Sequence, residues 1–235
     1  MDATANGWKI FDAQLPILSY EYSFGPGTAH ALAVGIDGGL LIVSPPCRVA
    51  SGVFEDLARY GPVRALVAPS AFHYLGLSEW RARFPEAALF APLQSIARIE
   101  QRSKLRGIRP LAEAAPITGS RIELTDMPHY KTGEALVRIA TERGPVWYLT
   151  DIVMNLPALP SHPVFKVMFK LSGSGPGLKL NNIAPLFMVR DKAALKRWLA
   201  AEFGKAQPRW LIPSHGDILE CASNWDAVGK LFPQA

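Results

Sequence analysis

Three places in this chain put a histidine or a carboxylate at the end of a short apolar run, and a fourth puts a histidine in the loop ahead of one. The run 63–68 stops ahead of His73, the run 146–150 stops at Asp151, and the run 209–213 stops ahead of His215. The loop 127–134 presents His129 before the alternating stretch 135–140. Runs this short and this apolar suit strands buried within a sheet rather than helices exposed on one side. A side chain placed just past such a strand is held on a rigid scaffold, where chemistry can use it.

Taken in order, the remaining segments supply the rest of the sheet and its covering helices. Two short strands surround Pro16, and Gly25-Pro26-Gly27 marks a turn. The apolar runs 30–36 and 39–43 flank Asp37-Gly38, the strongest hairpin signal in the chain, because that pair suits a turn with positive φ. Ser51 is expected to cap a helix carrying Val53, Phe54 and Leu57 on one face, ended by Gly61-Pro62. Further helices are expected over 80–84 and 93–104, with a strand over 88–91 between them. This alternation argues for helices packed outside a sheet. A Gly-Pro turn at 144–145 reverses the chain into the strand that ends on Asp151. Asp191 is expected to cap an amphipathic helix with Leu195, Trp198, Leu199 and Phe203 on one face, and a last helix over 225–232 closes the chain.

The segment 156–177 is rich in Pro and Gly and carries Phe165, Met168 and Phe169 among lysines. It reads as a loop with three fates: a lid over an apolar substrate, a segment touching a membrane surface, or apolar residues that simply join the core.

With 235 residues, 49% of them hydrophobic, and no long polar run, the chain is expected to form one domain over 1–235. The net charge of +5 is concentrated in Arg98, Arg102, Lys104, Arg106 and Arg109 and in Lys166, Lys170 and Lys179. Interspersed aliphatic residues make these solvated helix faces, and no nucleic-acid motif accompanies them, so no nucleic-acid partner is expected. Cys47 and Cys221 are too few for a disulfide framework. With no basic-then-apolar leader and no apolar tract long enough to span a bilayer, a soluble cytoplasmic protein without a transmembrane segment is expected.

The order of these motifs resembles the metallo-β-lactamase fold superfamily. That family carries a Thr-His-x-His-x-Asp-His loop after a strand, then a Pro-x-His-Thr-x-Gly loop, a strand ending in Gly-Asp, and a closing Pro-x-His-Gly. Here Pro128-His129-Tyr-Lys-Thr132-Gly133 is similar to the second, Thr150-Asp151 to the third, and Pro213-Ser-His215-Gly216 to the fourth. In place of the first stands Pro69-Ser70-Ala-Phe-His73-Tyr-Leu-Gly76, with one histidine and no aspartate. The strand before the first helix ends in Val43-Ser44-Pro45, where the family carries an aspartate.

The resemblance implies a four-layer αβ/βα sandwich of mixed α/β (α+β) class. It makes His73 and His129 ligands of one metal, Asp151 a bridging or shared ligand, and His215 a ligand of the second position. With the first loop reduced, one ion is expected rather than two. Zinc is the default for imidazole with carboxylate, while iron or manganese fits the same donors. The implied activity is hydrolysis of a small ester, lactone, thioester or phosphoester by a metal-bound hydroxide. Asp151 would orient the water, and Tyr130, Tyr74 or Lys131 would steady the oxyanion. Two other readings stand beside it: a catalytically inactive, metal-free binding or regulatory protein on the same scaffold, and redox chemistry at iron.

Overall fold

The computed structural model describes residues 2–12, 14–25 and 27–231, so Pro26 of the expected turn and Phe232 of the expected last helix lie outside the described residues. The chain divides into two compact units, Met1–Asp126 with Gly133–Ala135, and Met127–Thr132 with Leu136–Ala235.

The first unit is built on a seven-stranded sheet whose strands follow one another in chain order: β1 (Lys9–Asp12), β2 (Ile17–Ser23), β3 (Thr28–Ile36), β4 (Gly39–Val43), β5 (Val63–Val67), β6 (Ala88–Ala91) and β7 (Arg109–Pro110). The first four are antiparallel. The strands from β4 to β7 are parallel, because helices intervene there. Asp37-Gly38 forms the β3–β4 hairpin as expected, with Ile36 opposite Gly39 and Gly38 at φ 74°. The connecting helices are α1 (Ser51–Ala58), α2 (Leu77–Arg83) and α3 (Ile96–Ser103), followed by α4 (Ala115–Thr118) and β8 (Ile122–Asp126).

Val53, Phe54, Leu57, Leu77, Trp80 and Ile99 of these helices pack with Leu18, Ala33, Leu40, Ile42 and Leu66 of the sheet. The alternate residues Leu32, Val34, Leu41, Val43 and Val67 are buried as well. A sheet buried on both faces explains why these runs read as continuously apolar. Ser51 is the first residue of α1 rather than its cap. Ala50 occupies the cap position, with no side-chain bond to the helix.

The second unit contains β9 (Ala135–Ile139, of which Ala135 belongs to the first unit), β10 (Val146–Leu156), α5 (Pro163–Ser172), β11 (Gly177–Leu180), α6 (Ala184–Met188), α7 (Lys192–Lys205), β12 (Trp210–Gly216), β13 (Leu219–Glu220) and α8 (Trp225–Leu231). β12 runs parallel to β10 along one edge, and β13 pairs β12. The first half of β10 pairs β9 through residues 146–149, and the second half pairs β11 through residues 153–156.

Asp191 caps α7 as expected, accepting from the Ala194 N–H at 2.9 Å. Leu195, Leu199 and Phe203, four residues apart, place one face of α7 on Trp147, Leu149 and Leu211 of the sheet. Each such side chain contributes about 2 kcal/mol on burial. Cys221 is fully buried in the same core, and burial pushes its thiol up to about 12.

The segment 156–177 departs from the loop expected there, because it contains the ten-residue helix α5. No residue of α5 is buried, so its Phe and Met residues do not join the core. No helix among the described residues is long and apolar enough to cross a membrane.

Candidate metal centre

β10 does not end at Asp151, as its sequence suggests, but continues to Leu156. Leu149 faces Pro213 of β12 and Met154 faces His215, so the four residues 150–153 stand opposite Ser214 alone. A bulge of this kind bends the strand and re-aims its side chains. It falls where β10 exchanges its pairing with β9 for pairing with β11. Asp151 Oδ1 comes to 3.1 Å from His215 Nε2, with side-chain exposures of 13% and 17%. The neighbouring hydroxyls of Thr150 and Ser214 are fully buried, and neither oxygen has a hydrogen-bond partner.

The bulge is clamped from behind by Asn181, which directly follows β11. Its Nδ2 donates to the Asp151 carbonyl at 2.9 Å and its backbone N–H to the Ile152 carbonyl at 2.9 Å. Its Oδ1 accepts from the Ile183 and Ala184 N–H groups at 2.9 and 3.2 Å. One buried amide thus fixes both the carboxylate-bearing backbone and the entry to α6. The sequence reading passed over Asn181, although Asn-Asn-Ile-Ala-Pro carries the Asx-turn signal of a helix entrance.

The His215 end is held just as closely. Gly216 sits at φ 90°, and a Cβ there would fall 2.1 Å from the Asn155 carbonyl oxygen. Asn155 Nδ2 donates to the Asp217 carbonyl at 2.9 Å, and the Asp217 N–H donates to the Asn155 carbonyl at 2.7 Å. Asp217 is itself exposed.

In the first unit, His73 follows β5 and is 8% exposed. Its loop is turned by Ser70, whose Oγ accepts from the Phe72 and His73 N–H groups. His73 Nδ1 lies 3.3 Å from Ser44 Oγ, which lies 3.0 Å from the Tyr22 hydroxyl. Ser44 stands at the strand end where the resembling family carries an aspartate. It is fully buried at φ 54°, and its hydroxyl orients an imidazole. A hydrogen bond to one ring nitrogen is the usual means of fixing the other for ligation.

His129 does not join Asp151 and His215 in the second unit. It is exposed, at φ 65°, and its charge bears on Asp191 instead. Counting along Pro-x-His-Thr-x-Gly gives the reason: the third position of Pro128–Gly133 is Tyr130, and His129 falls one residue early. Tyr130 is 4% exposed and packs with Met127, Leu136 and Val189. His30 is a buried structural residue 3.2 Å from Ser19 Oγ, and His162 is exposed.

No family model matches the chain, and no curated protein matches it in sequence. Solved structures do. The DIM-1 metallo-β-lactamase superposes with a TM-score of 0.59 at 14% identity, covering 96% of each chain. A metallo-β-lactamase from Pontibacter korlensis gives 0.57 at 10% identity, over 97% of this chain and 99% of that one. A flavo di-iron protein from Thermotoga maritima gives 0.60 at 8% identity, over 98% of this chain and 61% of its own. Identities this low speak to architecture, and what they establish is that the chain has the metallo-β-lactamase fold.

Proposed function

We propose that the protein is a metal-dependent hydrolase of a small ester, lactone, thioester or phosphoester, with Asp151 and His215 holding one divalent ion and His73, from the order of the motifs, as its third ligand. The observation that carries this reading is the pairing of Asp151 with His215 at a strand bulge whose backbone is clamped by Asn181. Two imidazoles and a carboxylate make up the three-ligand set of a catalytic zinc site, and iron or manganese suits the same donors. The reading requires the two units to act as one domain, because His73 comes from the first. A single unfolding transition tests that requirement.

When bound, the ion would lower the pKa of a water molecule to about 7 and polarise the scissile group. The chain's own residues do the rest. Ser44 Oγ lies 3.3 Å from His73 Nδ1, which leaves Nε2 as the nitrogen that would ligate. His215 Nε2 and Asp151 Oδ1 lie 3.1 Å apart, so the two atoms would face one ion together. Asp151 remains the carboxylate that orients the attacking water. Tyr130 is the residue proposed to steady the oxyanion, and Tyr130→Phe, which keeps the ring in the core, isolates its hydroxyl.

Elemental analysis of untagged protein tests the site. About one equivalent of zinc, iron or manganese, lost in His215→Ala and Asp151→Asn, supports it. Turnover in a panel of ester, lactone and phosphodiester substrates, abolished by the same variants, supports the hydrolase. The second reading, an inactive binding protein on this scaffold, is favoured by Tyr130 standing at the motif's histidine position. Metal-free protein whose stability is unchanged by chelator would establish it in place of the first.

A further inference from the structure

Helix α5 is ten residues long and buries none of them. Val164, Val167, Met168 and Leu171 recur at the spacing of one helix face, and Leu171 is 83% exposed. Lys166 and Lys170, four residues apart, occupy the opposite side. The C-terminal end of the helix is anchored by polar bonds. Its end is closed by the Gly173 and Ser174 N–H groups, which donate to the Lys170 and Phe169 carbonyls. Asn182 Nδ2 donates to the Ser172 carbonyl, and the Asn182 N–H to the buried Ser174 Oγ. This links α5 to the start of α6, where Leu186 and Phe187 are again exposed, Phe187 by 74%. A helix anchored at one end and presenting an unburied apolar face is suited to meet something outside the chain.

The charge around it says what. From residue 152 to residue 190 there is no Asp or Glu, while Lys166, Lys170, Lys179 and Arg190 are all present. Short helices with an apolar face and lysines on the other side lie in the plane of a bilayer, drawn there by anionic headgroups. We propose that α5, with the adjoining Leu186 and Phe187, docks the protein on an anionic phospholipid surface. The apolar face enters the acyl boundary, and the lysines pair with headgroup phosphates and carboxylates. This goes beyond the hydrolase reading and does not depend on it.

Flotation of the full chain with vesicles, in chelator so that the metal centre plays no part, tests the proposal. Binding is expected to phosphatidylcholine vesicles containing phosphatidylserine and not to phosphatidylcholine alone, and it should weaken as salt is raised. Val167→Asp with Leu171→Asp, both at exposed positions, should abolish it. Lys166→Glu with Lys170→Glu should weaken it roughly tenfold or more. Wild-type protein that stays unbound, or variants that float like wild type, would overturn the proposal. So would a stable dimer in sedimentation velocity that Leu171→Asp dissociates while vesicles capture nothing, which would assign the face to a second copy of the chain.

Discussion

Asn181 is the side chain through which the geometry around Asp151 is most open to attack. It is 4% exposed, and its amide makes three side-chain bonds: one to the Asp151 carbonyl and two from the N–H groups of Ile183 and Ala184. Asn181→Ala removes all three and leaves partly buried polar groups without partners. At about 1 kcal/mol per net bond, the expected loss is about 3 kcal/mol, rising toward 5 kcal/mol if water does not replace the lost partner. Asn181→Asp keeps the acceptor for Ile183 and Ala184 but replaces the donor facing the Asp151 carbonyl with a second acceptor. It should cost less stability and relax the bulge itself. Urea unfolding at constant m-value reads the first effect. Zinc titration reads the second, with affinity reduced by roughly ten- to a hundredfold, the usual effect of removing a group that orients a ligand. An Asn181→Ala protein within about 0.5 kcal/mol of wild type would refute the accounting, and Asn181→Asp with unaltered zinc affinity would refute the link between clamp and ligand.

Gly216→Ala places a Cβ against the Asn155 carbonyl at a φ that L-residues avoid, so it should destabilise by at least about 2 kcal/mol and displace His215, checked by thermal melts and metal content. Burial alone would raise the Glu202 pKa, but hydrogen bonds from Lys205 and Arg138 outweigh it and hold the carboxyl below its ordinary range. Its contribution to stability is therefore present above the unfolded-state pKa and is lost as pH falls through the lower folded one. Glu202→Gln should cost about 3 kcal/mol at neutral pH, and the difference from wild type should shrink on acidification, measured by urea midpoints across pH. Asp126 is the opposite case. Burial pushes its carboxyl up against a single backbone bond from Leu93, so Asp126→Asn should raise the melting temperature at neutral pH, with the gain disappearing in acid. Cys221, fully buried and pushed up to about 12, should resist thiol reagents until the protein unfolds.

Much of the architecture was readable because periodicity and turn chemistry are local. The Asp37-Gly38 hairpin, the buried run ahead of His73 and the Asp191 cap each follow from a few adjacent residues. What the sequence does not reveal is of three physical kinds. Register within a loop has no period to fix it, so His129 was read into a position that Tyr130 occupies. Helix α5 is hemmed by Pro and Gly, and its apolar face meets no core, so the usual sign of an amphipathic helix was read as a loop. From the sequence β10 reads as ending on Asp151, where its apolar run meets a carboxylate. The bulge that lets the strand continue depends on β12 and β11, which lie far along the chain.

That partner exchange ties the carboxylate to the segment between β10 and β11. β11, which takes over as β10's edge neighbour beyond the bulge, is joined to it through α5. Any lengthening or trimming of the α5 segment is transmitted to β11, and from β11 through Asn181 to the peptide that carries Asp151. Variation in α5 can thereby shift the Asp151 carboxylate without altering any residue beside it. The reverse also holds: whatever seats α5 would steady the carboxylate.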